Sequence, residues 1–407
     1  MSDILSHQLN VPPVGPSGRR RHYRDRTMPN MRVTMPNMRV LIAPNAFKGT
    51  LTAAQAARAM RRGLADLPDI QCELLPMADG GDGSVDAFVS AGYDGHPVRV
   101  RGAHGAWHDA SIAVRGDHAV VELAGVCGIA LPDAEPLRPL DATTLGVGDA
   151  MVAALDFGAT HLALCLGGSA STDGGAGLLE ALGARLLDEA GATVPPTGRA
   201  LGRVAHVDMT EIDARLAHCR LEVLADVTNP LHGPQGAAHV FAPQKGASED
   251  DVRLLDAALV RWGDVLRSDT GRDVAELPGS GAAGGAAAAL AALGAAIRPG
   301  AASIAELIGL APAVAAADLV IVGEGRLDEQ TPHGKAISEV MAVAAHAGVP
   351  VLAVCGQITL GEPELRALGL AGWATAGGDG VADAPEGAAQ AVADATRTLL
   401  ARLRFSR

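Results

Sequence analysis

The stretch Met38–Leu75, MRVLIAPNAFKGTLTAAQAARAMRRGLADLPDIQCELL, decides how the chain is read. It opens with an apolar run, Met38 to Pro44, that reads as a buried strand. Ala56, Met60, Leu64 and Leu67 then fall at helical spacing, and Ile70 to Leu75 resumes a strand. The same rhythm returns in the last third of the chain. Strand-like runs at Asp318–Val322, Pro350–Val354 and Ala371–Thr375 alternate with helical patterns at Ile337–Ala347, around Pro363–Leu368 and from about Pro385 to Phe405. Such alternation predicts a parallel sheet with helices on both faces.

The middle of the chain reads differently. Ala110–Val114 and His118–Leu123 alternate as strands do and flank Arg115-Gly116-Asp117, which predicts a hairpin. A hairpin does not belong in a purely doubly wound sheet. The expected fold is therefore α/β in two domains: a flavodoxin-like parallel-sheet domain built from both chain ends (38–82 plus 290–407) and a second α/β domain (83–289) inserted between them. Residues 1–37 are polar, Pro-rich and aperiodic, and TMPNMRV occurs twice in tandem at Thr27–Val33 and Thr34–Val40, so a disordered extension is expected there.

Composition narrows the function. Across 407 residues the formal charge is −13, which argues against a nucleic-acid or anionic-membrane partner, since both demand a basic surface. The apolar run at Ala286–Ile297 falls short of the ~20 residues that span a bilayer. Five scattered cysteines without a CxxC pair disfavour a disulfide framework and a thiolate zinc site, so a reducing, cytoplasmic setting is expected. A homo-oligomer is left open.

In open parallel sheets ligands bind beyond the carboxyl ends of strands. The segments just after the expected strands are Asn45–Gly49, Met77–Gly83, Gly167–Gly175, Asp226–Pro230 and Gly323–Asp328, and nearly all set glycine beside a carboxylate, amide or ammonium. Glycine lets backbone N–H groups wrap an anion. Gly167, Gly168 and Ser169, with Asp173 nearby and a helix expected from about Gly177 to Leu187, form a candidate phosphate cradle. Carboxylates beside phosphates point to Mg²⁺, with Asp79, Asp226, Glu324 and Asp328 as candidate ligands. Gly279, Gly281 and Gly284 fit GxGxxG as a glycine-rich helix entry facing the cleft, although no convincing strand precedes them. Aromatic residues make up 2% of the chain, so an aliphatic slot is expected for any adenine.

The chain has three lysines, Lys48, Lys245 and Lys335, each beside glycine, while arginine supplies the rest of the basic surface. A compact ammonium and a planar guanidinium are not interchangeable at a phosphate. Lysines retained in such a chain are candidates for function, and so are Asn45 and Asn229, the only asparagines beyond Met38.

Taken together, MRVLIAPNAFKGTLTA, LLPMADGGDGSVDAF, LGGSASTDGGAG, LADVTNPLHGPQGAAHVFAPQKGA, PGSGAAGG and ADLVIVGEGRLDEQTPHGK resemble the glycerate kinase type-1 family from about Met38 to the last helix. The resemblance implies ATP-dependent, Mg²⁺-assisted phosphorylation of D-glycerate, favouring the 2-hydroxyl and 2-phosphoglycerate. Asn45-Ala46 stands where an acid and Ser are common in the family, and Asp82 where Glu is. The parts such chemistry needs are charge neutralisation by Lys48 and Lys245 and carboxylates at Asp79 and Asp226. Asn45, Asn229 and Arg326 are candidates to bind the organic acid, Arg326 being equally placed to pair with Asp328. A small hydroxy-acid dehydrogenase using the Gly279–Gly284 loop, with Glu306 on the ribose, and a two-lobed metabolite-binding protein stay open as alternatives.

Overall fold

The computed structural model describes residues 37–67, 69–134, 136–329, 336–377 and 385–405. The expected extension falls, but for Asn37, outside the described residues, as does Lys335. The chain begins with β1 (Met38–Ile42), α1 (Ala53–Gly63) and β2 (Ile70–Leu74), then passes through α2 (Ser84–Ser90) into β3 (Asp94–Arg101), β4 (Trp107–Arg115) and β5 (His118–Glu122). It continues with α3 (Ala124–Cys127), α4 (Leu145–Asp156), β6 (His161–Cys165), α5 (Ala176–Ala181), β7 (Arg185–Leu187), α6 (Gly198–Leu201), β8 (His206–Asp208) and β9 (Arg220–Leu224). After α7 (Ala237–Phe241), α8 (Glu249–Thr270), α9 (Ala282–Ala292) and β10 (Ala296–Arg298), the chain returns through α10 (Gly300–Leu307) and α11 (Leu310–Ala316). The last part comprises β11 (Leu319–Val322), β12 (Arg326–Leu327), α12 (Ala336–Ala347), β13 (Val351–Cys355), β14 (Gln357–Ile358), α13 (Glu362–Ala367), β15 (Leu370–Thr375) and α14 (Pro385–Phe405).

One sheet has the order β15-β13-β11-β1-β2 with every pair parallel, so strands from both chain ends share it in the flavodoxin-like order. The other has the order β10-β9-β6-β5-β4-β3. Its strands β5, β6, β9 and β10 run parallel, and β3, β4 and β5 form an antiparallel meander. The expected hairpin is β4–β5: Arg115 pairs with His118 across a two-residue turn in which Gly116 takes φ +61°. Because β10 pairs with β9, the second sheet reaches Arg298, past the boundary expected at residue 290. The helix expected at 177–187 stops at Ala181. Gly183, at φ +107°, turns the chain back into β7, and a Cβ there would stand 2.2 Å from the Glu211 carbonyl.

Local chemistry sets the helix ends. Thr52 and Gln55 form a capping box at α1, and Ser248 and Asp251 form another at α8, which Gly271 closes in the left-handed conformation. The packing is layered. One buried cluster joins Leu41, Val320 and Ala353 of the first sheet, Ala113, Val120, Ala163 and Leu224 of the second, and Phe88, Ile304 and Val340 of the helices between them. The two sheets therefore share a helical layer. The outer face of the first sheet is covered by α1 and α14. The second sheet's other face carries the largest cluster, which includes Trp262 of α8.

Trp262 is fully buried and its indole N–H donates to the Gly174 carbonyl at 2.8 Å. Trp262→Ala is expected to cost ~3–5 kcal/mol, and Trp262→Phe less, as read from the midpoint of urea unfolding. A shift below ~1 kcal/mol for Trp262→Ala would contradict a close-packed core on that face.

Candidate active site

The carboxyl ends of the strands in both sheets meet at two adjoining cavities of about 810 and about 1040 Å³. Asn45, Ala46, Lys48, Thr50 and Asp79 line both, so the loops after β1 and β2 form their common wall. The first cavity is completed by Gly80–Gly83, Gly167–Ser169, Asp226 and Lys245. The second is completed by Glu324, Arg326, Asp328 and Gln357, with Thr375 and, from α14, Ala388 and Val392.

The loop after β1 is braced on itself. The Phe47 N–H donates to the Leu51 carbonyl at 2.9 Å and the Thr50 N–H to the Phe47 carbonyl at 2.8 Å. Phe47 and Leu51 are buried, which leaves Lys48 exposed at the tip beside Gly49 at φ +80°. Asn45, buried at the base, accepts the Ala46 N–H on its Oδ1 at 2.7 Å.

Glycine has a second use in this site beyond wrapping an anion. The Gly167 N–H donates to the Gly80 carbonyl at 2.8 Å, and a Cβ on Gly167 would lie 2.5 Å from the Gly81 Cα. A Cβ on Gly80 would meet the Leu224 carbonyl oxygen at 2.8 Å, and one on Gly300 would meet that of Asp79 at 2.5 Å. Loops from the two sheets thus touch backbone to backbone, which side chains would forbid.

Lys245 is buried. Its Nζ donates to Ser169 Oγ at 2.7 Å and to the Ser171 carbonyl, so it holds the Gly167–Ser169 loop from behind. Burial pushes its pKa down to about 8, opposed by the negative charge of Asp173. Asp226 combines two roles. Its Oδ1 accepts the Gly300 N–H at 2.6 Å and the Ala301 N–H at 3.3 Å, which caps α10, and the residue also lines the first cavity. Burial pushes its carboxyl up to about 6, with Asp79 adding like-charge repulsion.

Other expectations are redirected. Asp173 is fully buried and accepts Thr144 N–H and Oγ1–H at 2.7 Å each, and the Gly175 and Gly177 N–H groups at 3.2 Å, which makes it an internal brace off the cavity wall. Asn229 donates to the Gln235 carbonyl at 2.7 Å and lines neither cavity. Gly279, Gly281 and Gly284 are packing glycines: a Cβ on each would stand 2.9 Å from Ile297, 2.2 Å from the Pro230 oxygen and 2.3 Å from the Ser171 oxygen. The wall residues from that segment are Ala282 and Ala283, the latter held at φ +53°, a conformation costly for a residue with a Cβ. Glu306, the ribose partner a dehydrogenase would need, is paired with Arg298 at 2.8 Å. Arg326 pairs with Asp328 at 3.4 Å on the wall of the second cavity.

The four candidate metal ligands do not converge. Among the described residues no group of three or more His, Cys, Asp or Glu side chains is placed to hold a metal ion. Asp226 belongs to the first cavity, Glu324 and Asp328 to the second, and Asp79 to both. Sequence reasoning passed over Asp82 as an individual site residue, over Gln244 and Phe241 on the wall of the first cavity, and over Glu122. The signal for Glu122 was an acid at the end of an otherwise apolar strand, HAVVE.

Two glycine loops at the strand ends, acids on the cavity walls, Lys48 in front and Lys245 behind suit an α/β enzyme that transfers a phosphoryl group, and comparison with known proteins narrows the class. The glycerate kinase family model matches residues 40–404. The chain is 41% identical over 327 residues to the glycerate kinase of Halalkalibacterium halodurans, covering 79% of this chain and 86% of that protein. It is 40% identical over 326 residues to the glycerate 2-kinase of Escherichia coli K12, covering 79% and 85%. A Salmonella typhimurium LT2 crystal structure, described as glycerate kinase 2, superposes with a TM-score of 0.78 at 38% identity over 89% of this chain and 96% of that one. The chain belongs to the glycerate kinase family, and its activity is the phosphorylation of glycerate. Among the described residues no helix is long and apolar enough to cross a membrane.

Asp226 offers a test that separates cap from site. Asp226→Asn keeps an oxygen for the Gly300 N–H, so its melting temperature is expected to stay near wild type while kcat falls by ~100-fold or more. Asp226→Ala loses the cap as well, at ~0.5–2 kcal/mol. If both variants lose activity only in proportion to their folded fraction, the carboxylate is a cap and nothing more.

Proposed function

We propose that the enzyme transfers the γ-phosphoryl group of ATP to the 2-hydroxyl of D-glycerate, giving 2-phosphoglycerate. The observation that carries this reading is the shared wall: two cavities of unlike chemistry meet at Lys48 and Asp79. The first suits the nucleotide. Its Gly167–Ser169 loop sits in front of the buried Lys245 ammonium with the Gly80–Gly83 loop beside it, while Ile129, Leu166, Val227, Phe241 and Ala282 supply an apolar wall. The second suits glycerate, whose carboxylate would face Arg326 with Lys48 nearby. The choice of the 2-hydroxyl is supported by the Escherichia coli relative, which carries that position in its name.

Mg²⁺ fits the donor set of the first cavity. Asp226 is a hard oxygen donor beside the charge of Asp79, and this ion commonly takes one or two carboxylates, phosphate oxygens and water. Asp226 would hold it, and it would supply neutralisation of polyphosphate charge. Glu324 and Asp328, on the second cavity, would shape the glycerate site instead. The remaining work falls to the chain itself. Lys48 neutralises charge that builds on the transferring group, the glycine loops exclude water and orient the phosphates, and Asp79, present on both cavities, takes the proton of the attacking hydroxyl.

The direct test is ADP release from ATP with D-glycerate, coupled beside an NAD(P)H trace. Enolase added alone to the product reports 2-phosphoglycerate, whereas the 3-isomer gives no signal until a mutase is added. Glycerate-independent ADP release, or reduction of NAD(P)⁺, would sink the reading. Lys48→Met is expected to cost ~3–5 kcal/mol in kcat/KM with little change in stability, and Lys48→Arg to recover only part. A fully active Lys48→Arg would show that position 48 supplies only positive potential.

A further inference from the structure

The geometry points to Glu122 as a positioning residue for phosphoryl transfer: its ionised carboxylate pins the loop that carries Asp79 and Asp82 to the end of β5. This inference rests on the proposed reading of the first cavity. Glu122 is the last residue of β5, and its side chain lies on the face covered by α2. Its Oε1 accepts the Gly83 N–H at 3.1 Å and its Oε2 accepts the Val85 N–H at 2.8 Å, from donors 39 and 37 residues away in the chain. Between the two cavity acids and these anchor points, the Gly81 carbonyl accepts Ser84 Oγ–H at 2.7 Å and Asp79 Oδ1 accepts the Gly81 N–H at 3.2 Å. The loop that forms part of both cavities is therefore fastened on one side by the Gly80–Gly167 backbone contact and on the other by this one carboxylate.

Two acceptor oxygens serve two N–H donors only while the carboxyl is ionised. Protonation turns one oxygen into a hydroxyl that is a poor acceptor, and an amide would turn a donor toward a donor. The surroundings make ionisation marginal. Glu122 is buried, and the charges that act on it from the loop and from α2 are Asp82 and Asp86, both acidic; its in-register neighbour on β6 is the thiol of Cys165. Burial foremost, then these like charges, push its pKa up to about 7 against the pull of the two backbone N–H groups. The sign follows: above that pH both oxygens accept and the loop is held in place, whereas below it the neutral carboxyl, favoured by burial, keeps one good acceptor, so the loop shifts without opening and turnover should fall.

The experiment compares the pH profiles of kcat for wild type and Glu122→Gln with ATP, Mg²⁺ and D-glycerate across roughly pH 5.5 to 8.5. Wild type should show an acid limb near neutrality. Glu122→Gln should lack that limb and run ~100-fold slower at its plateau, the scale of a misplaced catalytic loop, with Glu122→Asp recovering part of the rate. Any limb common to both enzymes belongs to other groups. A Glu122→Gln enzyme that keeps the limb, or keeps the wild-type rate, overturns the proposal. A second measurement needs no variant. In hydrogen exchange on wild type, corrected for the intrinsic pH dependence, the peptide spanning residues 79–88 should gain protection as pH falls through neutrality, because an opening that hydrates Glu122 gives up a carboxyl that holds its proton more tightly when buried. Unchanged protection overturns the clamp even if every variant fails to fold. Absence of any glycerate-dependent turnover in wild type would instead count against the reading of the cavity and leave the exchange result to decide the clamp.

Discussion

The backbone contact between Gly80–Gly81 and Gly167 is the constraint on which the site depends. It joins the carboxyl ends of two separate sheets at a distance that admits no Cβ, with the Gly167 N–H on the Gly80 carbonyl. The start of α10 presses on the same loop from beneath through Gly300. Because the three segments approach main chain to main chain at these glycines, the side chains at their margins, Asp79, Asp82, Asp226 and Ser169, are brought to one cavity. The shared helical layer behind them holds the two sheets in that relation.

Charge is distributed around this junction in depth. Lys48 stands exposed in front, on a loop stiffened by its own hydrogen bonds, whereas Lys245 is buried behind the Gly167–Ser169 loop and reaches it through Ser169 Oγ. The front lysine lines both cavities, where the proposed transfer would need a positive charge. The rear one supports the loop and lends it positive potential through little screening, since burial removes water. The carboxylates are likewise divided between work inside the fold and work at the cavity. Asp173 is wholly internal, Asp226 both caps α10 and faces the cavity, and Asp79 faces both cavities.

Much of this was legible in the chain. The strand, helix, strand rhythm of Met38–Leu75 and its return after Asp318 locate the flavodoxin-like sheet, because period and burial are local properties that an isolated sequence records. The motif glycines mark strand ends for the same reason. What the glycines do was less legible. Gly279, Gly281 and Gly284 look like an anion loop and turn out to be close-packing positions against Ile297, Pro230 and Ser171, since a missing Cβ looks the same whether ligand or backbone fills the space.

By itself the sequence determined the α/β class, the parallel sheet shared by the chain ends, the hairpin at Arg115–His118, and the residue types at the carboxyl ends of the strands. Each follows from patterns a few residues long. Only the tertiary structure decided which of those residues share a cavity. It separates Asp226 from Glu324 and Asp328, sends Asp173 inward, and brings Glu122 onto the amides of Gly83 and Val85. The physical reason is that these contacts span tens to hundreds of residues. They are set by how two sheets stack on one helical layer, and no local pattern records that distance.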